Sequence, residues 1–156
     1  MAIEKVKEYF AKFGMEDRVI EFAESSATVE LAAHAAGVEP GRIAKSLSFK
    51  VEDQPILIIV AGDEKIDNSK YKHTFHAKAK MLTFDEVTEL IGHAVGGVCP
   101  FAIHDGVKVY LDESLKRFPT VFPAAGSDNS AIELTPEEME KYAQNFVGWV
   151  DVCKLM

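Results

Sequence analysis

The chain has 156 residues, of which 47% are hydrophobic and 27% charged, and its 17 Lys and Arg against 25 Asp and Glu give a net charge of −8. This length is typical of one ordinary domain whose core needs no disulfide or metal, so we expect a single domain over residues 1–156. The acidic balance disfavours broad adsorption onto phosphate backbones. DNA binding is therefore not expected, and any nucleic acid must be contacted locally.

Membrane insertion and secretion are not expected either. The longest apolar stretch, 56–61, is far shorter than the ~20 residues that span a bilayer. Residues 1–10 contain four charged side chains where a secretory signal needs an apolar run. Cys99 and Cys153 form no CxxC motif, so neither a disulfide framework nor a cysteine zinc site is indicated. A cytoplasmic protein without a metal or cofactor is the resulting expectation.

The first third of the chain predicts two helices followed by two strands. Ile3, Val6, Phe10 and Phe13 recur at helical spacing, and Gly14 can close that helix. An extended segment then leads to a second, alanine-rich helix. Two neighbouring strands follow, the first alternating in polarity and the second continuously apolar. The predicted ranges are 18–22 for the extended segment, 29–36 for the second helix with Thr28 as N-cap and Gly37 as C-cap, and 45–51 and 56–61 for the strands.

The rest of the chain mixes both kinds of element. A weak helix is predicted around 71–75 and a short strand over 79–82, after which Thr83 and Glu86 form a capping box for a helix that Gly92 stops. Later strands and one further helix complete the order, which argues for an α+β fold rather than a repeating βαβ sheet. The later predictions are strands over 107–111, 131–134 and 146–153, and a helix that begins at Thr135 with Pro136 and Glu138.

Lys45 is the first residue whose position suggests chemistry. In the strand 45–51 it has the same parity as Leu47, Phe49 and Val51, so its side chain shares their face. A lysine on the core side is costly unless its ammonium reaches a cavity, a counter-ion or a ligand. The pattern also allows the side chain to extend to water from the end of the strand.

Two loops can approach a ligand closely. Gly96 and Gly97 precede a stiff apolar segment ending in Pro100, and paired glycines expose N–H groups that can stabilise an oxyanion. The segment 124–130 is rich in small and polar residues and precedes a strand. Each loop by itself also fits an ordinary turn.

Residues 65–80 hold the one concentration of basic side chains, with five lysines and one aspartate. Within it, Lys70, Lys72 and Lys78 are the predicted contacts to tRNA, and a solvated helix face is the alternative.

Taken together, four segments resemble the YbaK/ProX family, which includes the editing domain inserted in bacterial prolyl-tRNA synthetase. The match extends in order from about Ser25 to the last helix. The segments are TVELA with GV at 28–38, IAKSLSF at 43–49, GGVCPF at 96–101, and GS with IELTPEE at 126–138.

The resemblance implies a mixed, partly closed β-sheet with surrounding helices, and a hydrolase that deacylates mischarged aminoacyl-tRNA, removing a small amino acid carried by tRNA(Pro). Lys45 corresponds to the family's essential lysine. Departures at Cys99 and Ala102 leave the amino acid open. The implied catalytic residues are Lys45, Gly96 and Gly97, and the implied substrate-binding residues are Thr28, Ser46, Val98, Cys99, Pro100, Gly126 and Ser127.

An activated ester needs little more than a positioned water and oxyanion stabilisation, so no metal or cofactor is implied. Lys45 could bind the 3′-terminal adenosine end or its phosphate, or stabilise charge at the carbonyl. The expected partner is the 3′ acceptor end of aminoacyl-tRNA. An aminoacyl-tRNA synthetase is a second partner that the resemblance leaves open.

Three alternatives stay open at this stage. Cys99 could be a nucleophile with His93 or His104 as its base. His73 and His76 could begin a metal site that another histidine completes. Finally, the chain could be a non-catalytic module that binds tRNA ends or a synthetase.

Overall fold

The computed structural model describes residues 2–156, in which helices and strands alternate without a repeating order. This mixture confirms the predicted α+β class. The helices are α1 (Ala2–Ala11), α2 (Val29–Ala36), α3 (Asn68–Phe75), α4 (Phe84–Glu86, continued by a π-helical turn over Val87–Ile91) and α5 (Pro136–Tyr142). The strands are β1 (Val19–Glu21), β2 (Ile43–Val51), β3 (Gln54–Ala61), β4 (Glu64–Ile66), β5 (Lys108–Asp112), β6 (Phe122–Pro123), β7 (Ser130–Ile132), β8 (Phe146–Val150) and β9 (Cys153–Leu155).

Five strands form a mixed, curled sheet in the order β6-β2-β3-β5-β8. Strands β2 and β3 form a long antiparallel hairpin, from Ala44 opposite Ala61 to Val51 opposite Gln54, because only two residues connect them. The other three pairs in this sheet are parallel. Two small antiparallel sheets, β1 with β7 and β4 with β9, complete the pairing, and isolated bridges join the segments around β6 and β7.

Strand alternation gives the sheet two apolar faces. One face carries Leu57 into the larger core, which α1 covers with Phe10. The opposite face carries Phe49 and Ile58 into a smaller core completed by Tyr71 of α3. Helices therefore pack on both faces of β2 and β3, while the outer edge of β2 is left partly uncovered.

The helix boundaries follow local signals in the sequence. Thr28 caps α2 through its side chain, and Gly37 ends the helix in the left-handed conformation, as predicted. Reciprocal capping boxes begin α4 at Thr83 and α5 at Thr135. Among residues 2–156, no helix combines the length and the apolar character needed to cross a membrane.

The predicted strand over 79–82 does not form as an element. Its contact with the sheet is one bridge between Met81 and Phe49, flanked by two backbone hydrogen bonds. The first helix also ends earlier than expected, so Phe13 lies beyond it with 48% of its surface exposed. Local spacing predicted both features. After Ala11 the chain instead leaves the helix through turns, in which Phe13 and Met15 each donate the backbone N–H to the Phe10 carbonyl at 3.0 Å.

The predicted last strand over 146–153 is divided into β8 and β9. Asp112 accepts a hydrogen bond from the backbone N–H of Val152 at 2.9 Å, which fixes the chain between the two strands. Strand β8 pairs with β5, whereas β9 pairs with β4. The break therefore lets one segment serve two different sheets.

Candidate active site

A cleft with a volume of about 360 Å³ opens beside the outer edge of β2. Pairing of β2 with β6 ends at Ala44, and Leu82 donates its backbone N–H to the Ser48 carbonyl 3.1 Å away. Alternate residues of a strand direct their N–H and C=O groups to the same side. The backbone of Ser46, between Ala44 and Ser48, therefore faces the cleft. The walls come from α2 and the loop before it, the start of α4, the loop after it, β6 and β7.

Lys45 lines this cleft with its side chain on the face that also carries Leu47 and Phe49, in agreement with the strand alternation. Its Nζ is 3.5 Å from the carbonyl oxygen of Gly62 and 4.0 Å from the sulfur of Met156. Both contacts are weak at these distances. Burial lowers the pKa of Lys45, since the ammonium loses part of its hydration.

Two of the three acidic side chains that act on Lys45 are engaged by an arginine, and the third, Glu30, forms no ion pair with it. Asp63 and Glu64 both pair with Arg117, at 2.5 and 3.3 Å. No carboxylate in the described part of the chain forms an ion pair with Lys45. Lys45 therefore brings to the cleft a partly desolvated ammonium without a contact ion pair among the described residues, and such a group gains most from an anionic or strongly polar ligand.

The two glycines of the predicted oxyanion loop have different positions. Gly96 lines the cleft with a φ of 99°, and Val98 lines it too. Within residues 2–156 neither backbone N–H has a hydrogen-bond acceptor. Gly97 instead donates its N–H to the Ala94 carbonyl at 3.0 Å and lies outside the lining. The available donors are thus Gly96 and Val98 rather than the glycine pair.

Gly97 is required for close packing behind the cleft. A Cβ at this position would lie 2.7 Å from the backbone N of Ser127 and 2.8 Å from the carbonyl carbon of Gly126. The loop of Gly97 and the loop of Gly126 therefore touch each other, and the contact is between their backbones. Gly126 and Ser127 are buried behind the cleft wall, and Pro100, also buried, accepts a hydrogen bond from the Gln144 N–H. None of these residues lines the cleft.

Cys99 is fully buried and does not line the cleft. Its Sγ lies 3.5 Å from His93 Nε2, but that nitrogen is 2.7 Å from the Phe101 carbonyl and must donate its proton there. Burial raises the pKa of Cys99 to about 12. His104, the other candidate base, is exposed. The geometry therefore opposes the Cys-hydrolase alternative.

Two serines that line the cleft have buried hydroxyls without partners among the described residues. The Oγ atoms of Ser26 and Ser46 are both buried, and no group in residues 2–156 hydrogen-bonds to either. Ser26 is 8% exposed and is held by its own N–H, which donates to the Asp128 carbonyl at 2.6 Å. Thr28 differs, because its hydroxyl already accepts the Leu31 N–H at 3.2 Å. Ser26 was not predicted, since a serine shortly before an N-cap is typical of an ordinary loop.

Large apolar side chains rim the mouth of the cleft. Met81, Phe84 and Val95 are 58%, 70% and 50% exposed, and all three line it. Exposed apolar residues grouped at one opening typically mark a ligand or partner surface. The sequence did not identify them, because apolar periodicity indicates which side of an element is buried and gives no signal for an exposed apolar residue.

The predicted lysine contacts lie away from the cleft lining. Lys70 is engaged in the fold, since its Nζ contacts Asp151 at 3.0 Å and the Cys153 carbonyl at 2.9 Å. Lys72 and Lys78 are exposed, and Lys78 precedes Met81 of the rim by three residues.

The cleft contains no histidine or carboxylate among its lining residues within 2–156. Nor do three His, Cys, Asp or Glu side chains in that range converge as metal ligands, so His73 and His76 do not begin such a group. The side chains and backbone present can bind and polarise a ligand, but they supply no conventional general base.

The family model for the aminoacyl-tRNA editing domain matches residues 23–142, which include all the cleft-lining elements. The chain belongs to this family. The resemblance predicted from the sequence is thereby confirmed.

Several proteins are similar to this editing-domain protein. YwhH of Bacillus subtilis is 56% identical, covering 99% of this chain and 98% of that protein. EbsC of Enterococcus faecalis, named as a candidate Cys-tRNA(Pro)/Cys-tRNA(Cys) deacylase, is 29% identical over 74% of this chain and 72% of its own length. The proline–tRNA ligase of Bacillus subtilis is 37% identical over 46% of this chain, which corresponds to 13% of the ligase.

The fold of this editing-domain protein also matches solved structures. A candidate trans-editing enzyme for prolyl tRNA synthetase superposes with a TM-score of 0.85 and 30% identity, over 98% of this chain and 97% of that one. The match over nearly the whole chain confirms the predicted fold, a mixed sheet with surrounding helices.

Proposed function

We propose that this editing-domain protein hydrolyses the ester of mischarged aminoacyl-tRNA in trans, removing a small amino acid from tRNA(Pro). The observation that carries the proposal is Lys45, a partly buried ammonium without a contact ion pair that lines the cleft of an editing-domain fold. The names of EbsC and of the structural neighbour support the tRNA(Pro) part. The proposed cellular role is the maintenance of translation fidelity. An aminoacyl-tRNA synthetase that releases the mischarged tRNA is a second proposed partner.

The reaction is the addition of water across an ester. The water oxygen bonds to the carbonyl carbon, the bond from that carbon to the ribose oxygen breaks, and a proton from the water reaches the leaving oxygen. The products are the free amino acid and tRNA with its hydroxyl restored. Because the cleft supplies no histidine or carboxylate, we assign proton transfer to groups of the substrate itself.

The protein's contribution is placement and charge stabilisation. The free N–H groups of Gly96 and Val98 would donate to the developing oxyanion. The Lys45 ammonium would bind the same carbonyl or the phosphate of the terminal nucleotide. The two backbone N–H groups have no acceptor in the fold and the Lys45 ammonium has only weak contacts, so substrate binding would compensate for their cost of burial.

The rim would hold the terminal nucleoside. An aromatic face exposed at the mouth of a cleft can stack on a nucleobase, and Phe84 with Met81 beside it supplies such a surface. In this arrangement the adenine lies at the rim while the acyl group enters the cleft.

The test is a deacylation time course on tRNA(Pro) charged with a panel of amino acids, comparing wild-type protein with Lys45→Met and with Lys108→Met, an exposed lysine on β5. Wild-type protein and Lys108→Met should release at least one small amino acid faster than buffer, and Lys45→Met should not. Tight binding of charged tRNA with no release of any amino acid would instead identify a non-catalytic binding module.

A further inference from the structure

Met156 contacts the ammonium of Lys45 without lining the cleft. Its Sδ atom is 4.0 Å from Lys45 Nζ, and the cleft walls come from other residues. The backbone on either side of this contact is fixed, because Leu155 pairs with Glu64 across β9 and β4. The next residue, Met156, donates its N–H to the Asp63 carbonyl at 3.1 Å. The thioether is therefore kept beside Lys45 and outside the space that a substrate would occupy.

The side chain of Met156 is also open to dissolved oxidants. It is 76% exposed, whereas Met15 and Met139 are buried. Met81, at the rim of the cleft, is the other exposed methionine within residues 2–156, at 58%. Both cysteines of the chain are buried. Because oxidation of sulfur follows exposure, an oxidant reaches Met156 and Met81 before the thiols and the buried methionines.

Oxidation would change how Met156 interacts with an ammonium. A thioether is a weak hydrogen-bond acceptor, whereas oxidation to the sulfoxide makes the side chain polar and adds an oxygen that accepts. The sulfur is already 4.0 Å from Lys45 Nζ, so an oxygen bonded to it on that side lies within hydrogen-bonding range. Lys45 otherwise has a weak contact with the Gly62 carbonyl at 3.5 Å. The sulfoxide would therefore occupy an ammonium that the reduced side chain leaves available.

We propose that Met156 is an oxidation site through which a peroxide suppresses the activity of this protein, because the sulfoxide oxygen binds the Lys45 ammonium in competition with the substrate. The inference rests on the proposed function, in which Lys45 binds the ester carbonyl or a phosphate. One peroxide oxygen bonds to the sulfur as the O–O bond breaks, and the other takes the remaining proton and leaves as water. Sulfur gives up two electrons and the peroxide gains them. A methionine sulfoxide reductase reverses the change.

The experiment compares Met81→Leu with Met81→Leu/Met156→Leu, so that the two proteins differ in the sulfur at Met156 alone. Both are treated with hydrogen peroxide, and deacylation of charged tRNA(Pro) is expressed relative to the same protein before treatment. We expect Met81→Leu to lose about three- to tenfold in kcat/KM, the effect of one added hydrogen bond, and the double variant to keep its rate. Methionine sulfoxide reductase should restore the lost activity.

Met156→Gln tests the same contact without an oxidant. Its amide oxygen is a good acceptor on a side chain of similar length, so turnover should fall below that of Met156→Leu by a similar factor. Equal losses of the two peroxide-treated proteins would overturn the inference. Complete conversion of Met156 to the sulfoxide, shown by peptide mass spectrometry, with no loss of activity in Met81→Leu would also overturn it.

Labelling of Lys45 by an amine-reactive ester supplies a readout that does not need deacylation. An ammonium that donates to a sulfoxide gives up its proton less readily, so peroxide should slow this labelling in Met81→Leu and not in the double variant. The exposed Lys108 is the internal control and should label at an unchanged rate. Absence of deacylation before treatment would overturn the proposed function and the suppression that rests on it. Labelling of Lys45 that peroxide leaves unchanged would overturn the contact itself.

Discussion

Lys45 is positioned by strand alternation and isolated by the packing around it. Its parity within β2 directs the side chain to the face of Phe49, while Arg117 engages Asp63 and Glu64, two of the acids near it. The fold thus keeps a cationic group partly buried without a neutralising contact. A group of this kind opposes folding, which makes Lys45 a candidate functional residue.

Lys45→Met should abolish deacylation while leaving the protein folded, because methionine keeps the apolar stem and deletes the charge. We expect a loss of roughly 100-fold or more in kcat/KM. Burial lowers the pKa of Lys45, so the charged form opposes folding below that pKa and the opposition fades as pH rises towards the ordinary value of lysine. The melting temperature at neutral pH should therefore be unchanged or higher.

Lys45→Arg is the matched variant that keeps the charge. It should not restore the rate, since a planar guanidinium cannot replace a compact ammonium in a fitted site. Near-normal turnover in Lys45→Met would exclude Lys45 from the mechanism, and a collapsed melt would make its role structural.

Cys99→Ser should retain hydrolysis with the same amino-acid preference, because the thiol is fully buried and lies outside the cleft lining. A serine hydroxyl can still donate to the Phe101 carbonyl that the thiol contacts at 3.6 Å. Deacylation rates on the acyl panel check the prediction. A drop of about a thousandfold with every substrate would match loss of a nucleophile.

The thiol can also be probed directly in the wild-type protein. With its pKa raised to about 12, Cys99 should resist alkylation near neutral pH for as long as the protein stays folded. Fast labelling that stops deacylation would contradict the burial of this side chain.

At the scale of elements, the cleft exists because two loops meet behind it and a short helix borders its mouth. The loop of Gly97 touches the backbone of Gly126 and Ser127, which holds Gly96 and Val98 against the cleft. The start of α4 contributes Phe84 at the rim. In the proposed function the loops position the N–H donors for the oxyanion. The start of α4 positions the aromatic ring on which the terminal nucleoside would stack.

Gly97→Ala should destabilise the protein by about 1–3 kcal/mol, because the new Cβ would lie under 3 Å from backbone atoms that can move only with their loop. Denaturant unfolding measures the change. Gly106→Ala is the control, since a Cβ there meets nothing within 4 Å. Equal stability of the two variants would show that the loops do not pack as described.

Phe84→Ala should raise KM for charged tRNA several-fold with little effect on kcat, because stacking at the rim binds the nucleoside without touching the ester. Phe84→Tyr should restore the wild-type KM. Val147→Ala, which shortens an exposed apolar side chain on β8, should change neither constant. A fall in kcat alone would mean that Phe84 contributes to the hydrolysis step and not to binding of the nucleoside.

On the scale of the whole molecule, a net charge of −8 requires that tRNA contacts be concentrated on a few basic groups. Lys72 and Lys78 are exposed and remain proposed contacts, whereas Lys70 already bonds to Asp151 and the Cys153 carbonyl. Removal of Lys70 would therefore also affect the fold.

Lys72→Gln/Lys78→Gln should weaken binding of charged tRNA and flatten its salt dependence, because each lysine that no longer neutralises a phosphate lowers the slope by roughly 0.7–0.9. The control is Lys12→Gln/Lys108→Gln, which removes two exposed lysines elsewhere. Binding isotherms over a range of salt concentrations provide the slopes. The same slope for both double variants would mean that residues 65–80 are ordinary solvated surface.

The sequence by itself determined the features that depend on neighbours along the chain. Thr28 and Gly37 bound α2, Thr135 begins α5, and alternation in β2 places Lys45, because caps and strand faces are set by local backbone geometry and side-chain spacing. The joint motifs also identified the family, because four short segments occur in the family's order along most of the chain.

Tertiary structure alone decided what faces the cleft. Cys99 and Gly97 sit beside cleft residues in the sequence but turn into the interior, while Ser26 and Phe84 carry no local signal and come to the cleft from different elements. Whether a hydroxyl is left unpaired or a lysine lacks a counter-ion depends on residues far away in the chain. Such long-range packing is a property of the assembled sheet and loops, and no spacing within one segment encodes it.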